Sequence, residues 1–273
     1  MQVPPFPLPS NISKVIHFRV PTVDDALSFA DLSPEQEEMH TTQYLNQLQD
    51  TAKQDGKVFD SAEWTGEDRR TALWWIFIAT REYPDITVSY HCEHCQQDHY
   101  VDINAIDLAD TSTAHNELPT HTFDARIDGR VVKGVEVRPL KGNACEHLET
   151  MAMGISTIPE GTKEHKQAQF NFKISQIAHH VTLPDQPKDE QEAYKYKVEQ
   201  IRKMAVDTEF RSFFANVEIG IRKQQHGLLT RYSNGQYMLV ANHKNCSVAI
   251  ENGEDQSKLL LVPFRADHFI STL

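Results

Sequence analysis

Along this chain apolar positions recur every second residue in some stretches and every third or fourth in others, and the switches between the two periods divide it into elements. "SKVIHFRV" alternates as a strand does, with Val15 and Phe18 among its apolar residues, and stops at Pro21. Thr22 is placed to cap a short helix running through Leu32, and Asp24 and Asp25 suit the positive end of that helix. Ser33 followed by Pro34 repeats the signal for a second helix. Trp64, Leu73, Trp74, Phe77 and Ile78 carry helical spacing across 61–83, and tryptophans so spaced belong to a core. "DITVSYHC" and "HYVDINAIDL" then alternate with period two on either side of Cys92 and Cys95, which puts that pair at a turn between strands.

Beyond the polar run "DTSTAHNELPT", Asp128-Gly129 gives the chain's strongest hairpin signal, because a two-residue turn needs residues that tolerate positive φ. Three helices are expected next: "GNACEHLETMAMG", "KEHKQAQFNFKISQIAHHV", and a long one across "KDEQEAYKYKVEQIRKMAVDTEFRSFFANVEIG". Tyr196, Ile201, Met204 and Phe213 supply part of the apolar face of the last. "LLTRYS", "QYMLVAN", "CSVAI" and "KLLLVPF" read as closing strands, with Asn234-Gly235 and Asn252-Gly253 as turns. The opening "VPPFPLP" is too rich in proline for a helix or an inner strand and is expected as an extended arm, which needs a surface to lie on.

"KVIHFRVPTVDDALSFADL" and "KGVEVRPLKGNACEHLETM" both run strand, Arg, Pro, polar turn, helix, and each half continues through helices to a β hairpin. The expected fold is therefore α+β, with two tandem related modules: an arm at 1–12, a first module at 13–110, a linker at 111–120 and a second module at 121–273. Chance similarity around an Arg-Pro pair is the competing reading.

Composition narrows the partners. The 273 residues are enough for one large domain or two smaller ones. A net charge of −12 and a pI near 5.6 weigh against a nucleic-acid or anionic-membrane partner. The most apolar stretch, "ALWWIFIA", falls well short of the roughly 18 residues a spanning helix requires, and "MQVPPFPLPS" lacks the basic and apolar regions of a signal peptide. A cytoplasmic setting is expected, where four cysteines are reduced thiols or metal ligands rather than disulfides.

The chemistry centres on "YHCEHCQQDHY" at 90–100. A C-x-x-C on a turn between strands presents both sulfurs to one ion, the geometry of a zinc knuckle, whereas a redox pair opens a helix. Two more donors are needed for a structural zinc site. His91 and His94 are awkwardly placed, His99 could fold back across the hairpin, and the H-x-x-C of His243 and Cys246 falls where a second knuckle would lie. The expected ligand set is Cys92, Cys95, His243 and Cys246 around a structural zinc; a knuckle that has lost its metal is the alternative. Cys145 reads as a small buried apolar residue. Catalytic signatures do not assemble: "HLE" at 147–149 opens like a zinc-deaminase motif, but the chain's C-x-x-C lies upstream of it.

Taken in order, "LPS...KVIHFRVPTVDDALSFA", "ITVSYHCEHCQQDHYVDINAIDL", "GVEVRPL", and "HGLLTRYS" leading to "LLLVPFRADHFI" resemble the baseplate hub proteins of contractile-tailed, T-even-type bacteriophages. In that family the second hairpin usually carries its own C-x-x-C, which here is replaced by His243 and Cys246 or has been lost. The resemblance implies a non-enzymatic structural or assembly component of the hub, whose partners are other baseplate and tail proteins. It would be found in the host cytoplasm during assembly and in the virion baseplate afterwards. The proline arm would suit docking on a neighbouring subunit. A transient tail-assembly chaperone is the first rival, and a zinc-ribbon nucleic-acid adaptor the second.

Overall fold

A computed structural model describes residues 2–29, 36–233 and 235–262, and shows a mixed α+β protein with four small sheets among those residues. The chain forms two compact units. One gathers residues up to 61, 67–116 and those from 226 onward; the other holds 62–66 and 117–225. Each half of the sequence opens on an antiparallel pair of strands rather than a single strand, passes through helices and ends in further antiparallel strands. The C-terminal hairpin, however, joins the first unit, so the module expected at 121–273 ends spatially at Gln225, and the crossing after Asn116 falls within the expected linker.

In the first unit, β1 (Phe6–Leu8) pairs antiparallel with β2 (Asn11–Ile16). The proline arm is thus extended, as expected, and its β1 part is a strand laid on its own unit. Val3, Phe6 and Leu8 are buried, and Trp75 donates its indole N–H to the Pro4 carbonyl at 3.0 Å. Pro7 is tolerated because β1 is an edge strand and needs no donor on its outer side. α1 (Val23–Ser28) begins with Thr22 as expected, in a capping box with Asp25. Its further reach to Leu32, and the Ser33-Pro34 cap, lie outside the described residues. α2 (Glu37–Gln47) follows, then a 3₁₀ turn at Thr51–Lys53 and α3 (Gly66–Thr80).

Arg19 reaches Asp25 through two bonds of 2.6 and 2.7 Å, and Gln47 adds a third donor at 2.7 Å. The Arg19 guanidinium, with Thr22 and Gln47, holds the Asp25 carboxyl well below the usual carboxylate range. A carboxylate whose folded pKa is depressed stabilises the fold above its unfolded value, about 3.9, and loses that contribution as pH falls toward the folded pKa. Asp25→Asn should therefore cost about 1–2 kcal/mol at neutral pH and flatten the acid limb of a stability-versus-pH curve. Urea unfolding at pH 7 and pH 3 checks both effects.

The start of α3 holds a feature that periodicity did not anticipate. Glu67, Asp68, Arg69 and Arg70 are all buried. Arg70 pairs with Glu37 at 3.3 Å and Glu38 at 2.8 Å, Arg69 with Glu38 at 3.4 Å, and Asp68 accepts from the Ser10 amide at 2.9 Å and faces buried His226 at 3.7 Å. Farther along α3, Trp74 donates to the Ala105 carbonyl at 2.7 Å, so Leu73, Trp74 and Phe77 lie in the core as their spacing predicted.

The second unit is built on β5 (His121–Ile127), β6 (Arg130–Val137) and β7 (Val181–Thr182), with β6 central. Asp128 and Gly129 take φ of 49° and 73°, the turn expected of them. α4 (Gly142–Ser156), α5 (Lys163–His180), α6 (Glu190–Arg202) and α7 (Arg211–Lys223) accompany the sheet. Ile127, Val135 and Val137 share one core with Ile174, Ile177, Ile201, Met204, Phe213 and Val217. The long helix expected here is two helices joined by a π turn at Val206–Phe210. Glu209 makes the break, accepting from the amides of Ala205, Asp128 and Gly129 at 3.0, 3.2 and 2.9 Å, and so ties the helix junction to the hairpin turn. Cys145 is buried on α4, as read.

Candidate metal centre

β3 (Asp85–His91) and β4 (Asp98–Asn104) pair in register from Asp85↔Asn104 to His91↔Asp98, leaving Cys92–Gln97 as the turn. The turn is closed by Cys92 N–H to the Gln97 carbonyl at 2.9 Å and Gln96 N–H to the Cys92 carbonyl at 2.8 Å, with Gln96 at φ 56°. The backbone amides of Cys95 and then His94 point at the Cys92 sulfur, and these, with the neighbouring thiols, bring its pKa down to about 6 against the cost of burial. Backbone donors aimed at a sulfur favour the thiolate, the form that binds a metal.

The other side of the site comes from the C-terminal hairpin. β8 (Thr230–Ser233), β9 (Gln236–Lys244) and β10 (Ser257–Val262) form one sheet in the order β10-β9-β8. Ser233 faces Gln236 across the turn expected at Asn234-Gly235, although Asn234 itself lies outside the described residues. "CSVAI" is not a strand. Cys246 is the N-cap of α8 (Ser247–Glu251), its sulfur accepting from the Ala249 amide at 3.4 Å. The Asn252-Gly253 pair ends that helix, with Gly253 at φ 85°, instead of turning a hairpin. A five-residue apolar run cannot be assigned to strand or helix by periodicity alone.

Cys92, Cys95, His99 and Cys246 bring their donor atoms within 4.8 Å of one another. The Cys92 and Cys246 sulfurs are 3.5 Å apart, and the Cys95 sulfur is 3.1 Å from His99 Nε2. None of the four cysteines is in a disulfide. Three of the four predicted ligands are therefore brought together, and the fourth donor is His99 in place of His243. Register explains the exchange. His99 lies opposite Tyr90 on β4, four residues beyond Cys95, and stacks on the Tyr90 ring at 5.3 Å. His243 lies opposite Lys258 on β9 and meets the edge of the Tyr90 ring at 6.3 Å, away from the sulfurs. Desolvation, with His99 and Lys258 nearby, lowers the His243 pKa. Lys258 places its ammonium 4.2 Å over Tyr90. His91 turns outward to Asp98 at 2.8 Å.

Four donors of this kind could hold a metal ion. A tetrahedral ion with metal–sulfur bonds of about 2.3 Å sets its sulfurs about 3.7 Å apart, close to the separation seen for Cys92 and Cys246. Three thiolates and an imidazole are a soft set, unlike the oxygen ligands that magnesium or calcium require.

No family model, curated protein or solved structure matches this chain. Among the described residues, no helix is long and apolar enough to cross a membrane.

Proposed function

We propose that this protein is a non-enzymatic component or assembly factor of the central hub of a contractile phage tail baseplate, acting through protein–protein contacts, and that Cys92, Cys95, His99 and Cys246 hold a structural zinc. One observation carries the reading: the phrases that resemble the hub family, dispersed in sequence, converge in space. The opening strand and helix, the C-x-x-C hairpin, "HGLLTRYS" and the described part of the last strand all belong to the first unit, and only "GVEVRPL" lies in the other. The cysteine cluster joins the two hairpins among these phrases. With all four positions filled by protein, such a zinc would leave no open site for substrate, which is the pattern of a brace.

The nucleic-acid adaptor draws no support from the hairpin. Its outward face carries Asp85, Asp98 and Asp102 around Tyr100, a face that repels phosphate.

Mass spectrometry of contractile tail particles purified from a lysate containing this chain tests the proposal. A stoichiometric band is expected of a component; recovery only with tail-assembly intermediates identifies the transient assembly factor. Absence from both particles and intermediates overturns the hub reading.

A further inference from the structure

Two imidazoles of the second unit meet away from the cysteine cluster. His147 on α4 and His179 on the last turn of α5 bring Nδ1 and Nε2 to 2.9 Å, with their ring planes at 79°. Tyr194 of α6 backs both, edge-on to His147 at 5.1 Å and stacked on His179 at 4.8 Å, and its hydroxyl is fixed to Ser175 Oγ at 2.7 Å. Both histidines are only half-buried, so solvent reaches the pair. Burial lowers the pKa of each, His179 to about 3, so both rings are neutral and their 2.9 Å contact is an N–H···N hydrogen bond, whose shared proton a metal ion would displace as the donor ring shifts tautomer.

We propose that His147 and His179 form a second, exchangeable metal site, for a divalent transition ion of the nickel or copper(II) class, with water in the remaining positions. The separation accommodates such an ion. With metal–nitrogen bonds of about 2.0–2.1 Å, nitrogens 2.9 Å apart subtend about 90° at the metal, the angle between adjacent ligands in tetragonal and octahedral complexes; a tetrahedral ion would hold them about 3.3 Å apart. The all-nitrogen donor pair also separates this site chemically from the thiolate cluster. Its position gives it a consequence. The last buried residue of α4 is Glu149 and the first of α5 is Ile174, so the helical hairpin formed by 150–173 contains no buried residue. An ion bridging His147 and His179 would clamp the base of that hairpin. The site lies in the second unit and stands independently of the hub reading.

Nickel alone, titrated into the full-length chain already carrying zinc, is the probe, since copper(II) would oxidise the thiols. One further equivalent is expected. His147→Ala or His179→Ala should weaken its binding by about tenfold or more, while His165→Ala, elsewhere on α5, should not. In the unsubstituted protein, nickel should shield His147 and His179 from diethyl pyrocarbonate, mapped by peptide mass spectrometry, so the test does not rest on variants that fold poorly. Nickel uptake unchanged in His147→Ala, or both histidines modified equally with and without nickel, overturns the proposal.

Discussion

Cys92→Ser combined with Cys95→Ser should abolish zinc binding and lower the melting temperature by about 10 °C or more. Cys92 and Cys246 lie 154 residues apart in sequence, and a metal that binds the folded site but not the unfolded chain stabilises the fold by about 4 kcal/mol when its free concentration is about a thousand times its Kd. For a chain of this size each kcal/mol corresponds to roughly 2–4 °C of melting temperature. Such a tie would serve the first unit, whose C-terminal strands return to it only after the residues of the second unit have intervened. Differential scanning calorimetry and elemental analysis of protein prepared without chelator read the two effects together. Single variants separate the ligand sets: His99→Ala should lose metal, whereas His243→Ala should keep it and disturb only the packing against Tyr90. Cys145→Ala, at another buried cysteine outside the cluster, should leave the zinc content unchanged. Zinc at full stoichiometry in the double serine variant, or an unchanged melting temperature on its loss, would refute a bracing role.

Elements whose signal is local were legible in the sequence. Thr22 with Asp25 announces a cap, Asp128-Gly129 announces a tight turn, and the alternation on either side of Cys92 and Cys95 fixes a hairpin with the sulfurs at its tip. Errors arose where a distant side chain decides the backbone. Glu209 breaks a continuous helical pattern because two of its three amide donors come from a turn some 80 residues earlier. Cys246 reads as part of a strand until its sulfur is seen to cap α8. His99 and His243 were both within reach of the cysteines by sequence, and only the register of β3 with β4 and of β9 with β10 separates them. The charged run Glu67–Arg70 carries no apolar periodicity that would signal burial. It is buried because Glu37 and Glu38, from the preceding helix, neutralise the two arginines, a pairing that no spacing rule within α3 could reveal. A buried, mutually paired set of this kind is costly to break yet adds little net stability over an apolar core.

Deleting residues 1–10 should destabilise the first unit rather than selectively removing a docking element. Val3, Phe6 and Leu8 are buried, and withdrawing each such side chain forfeits about 1.5–3 kcal/mol of burial. What remains then carries further costs. Phe18 and Trp75 lose the Phe6 ring that packs on them at 6.0 and 5.8 Å, and buried Asp68 loses two donors from Ser10. Phe6→Ala isolates the packing contribution without shortening the chain. At 1% exposure the ring has no route to collapse its cavity cheaply, and a loss of about 3–5 kcal/mol is expected. Urea unfolding of both variants beside the full-length chain measures this, followed by a recruitment assay in a tail-assembly lysate. Loss of recruitment in step with loss of stability identifies the arm as part of the fold, whereas a truncated protein of unchanged stability that no longer joins the assembly would return the arm to the role of a docking strand. The distinction follows from the pairing of β1 with β2, because the inner edge of a strand already hydrogen-bonded to its own unit is closed to a partner unless the hairpin first opens.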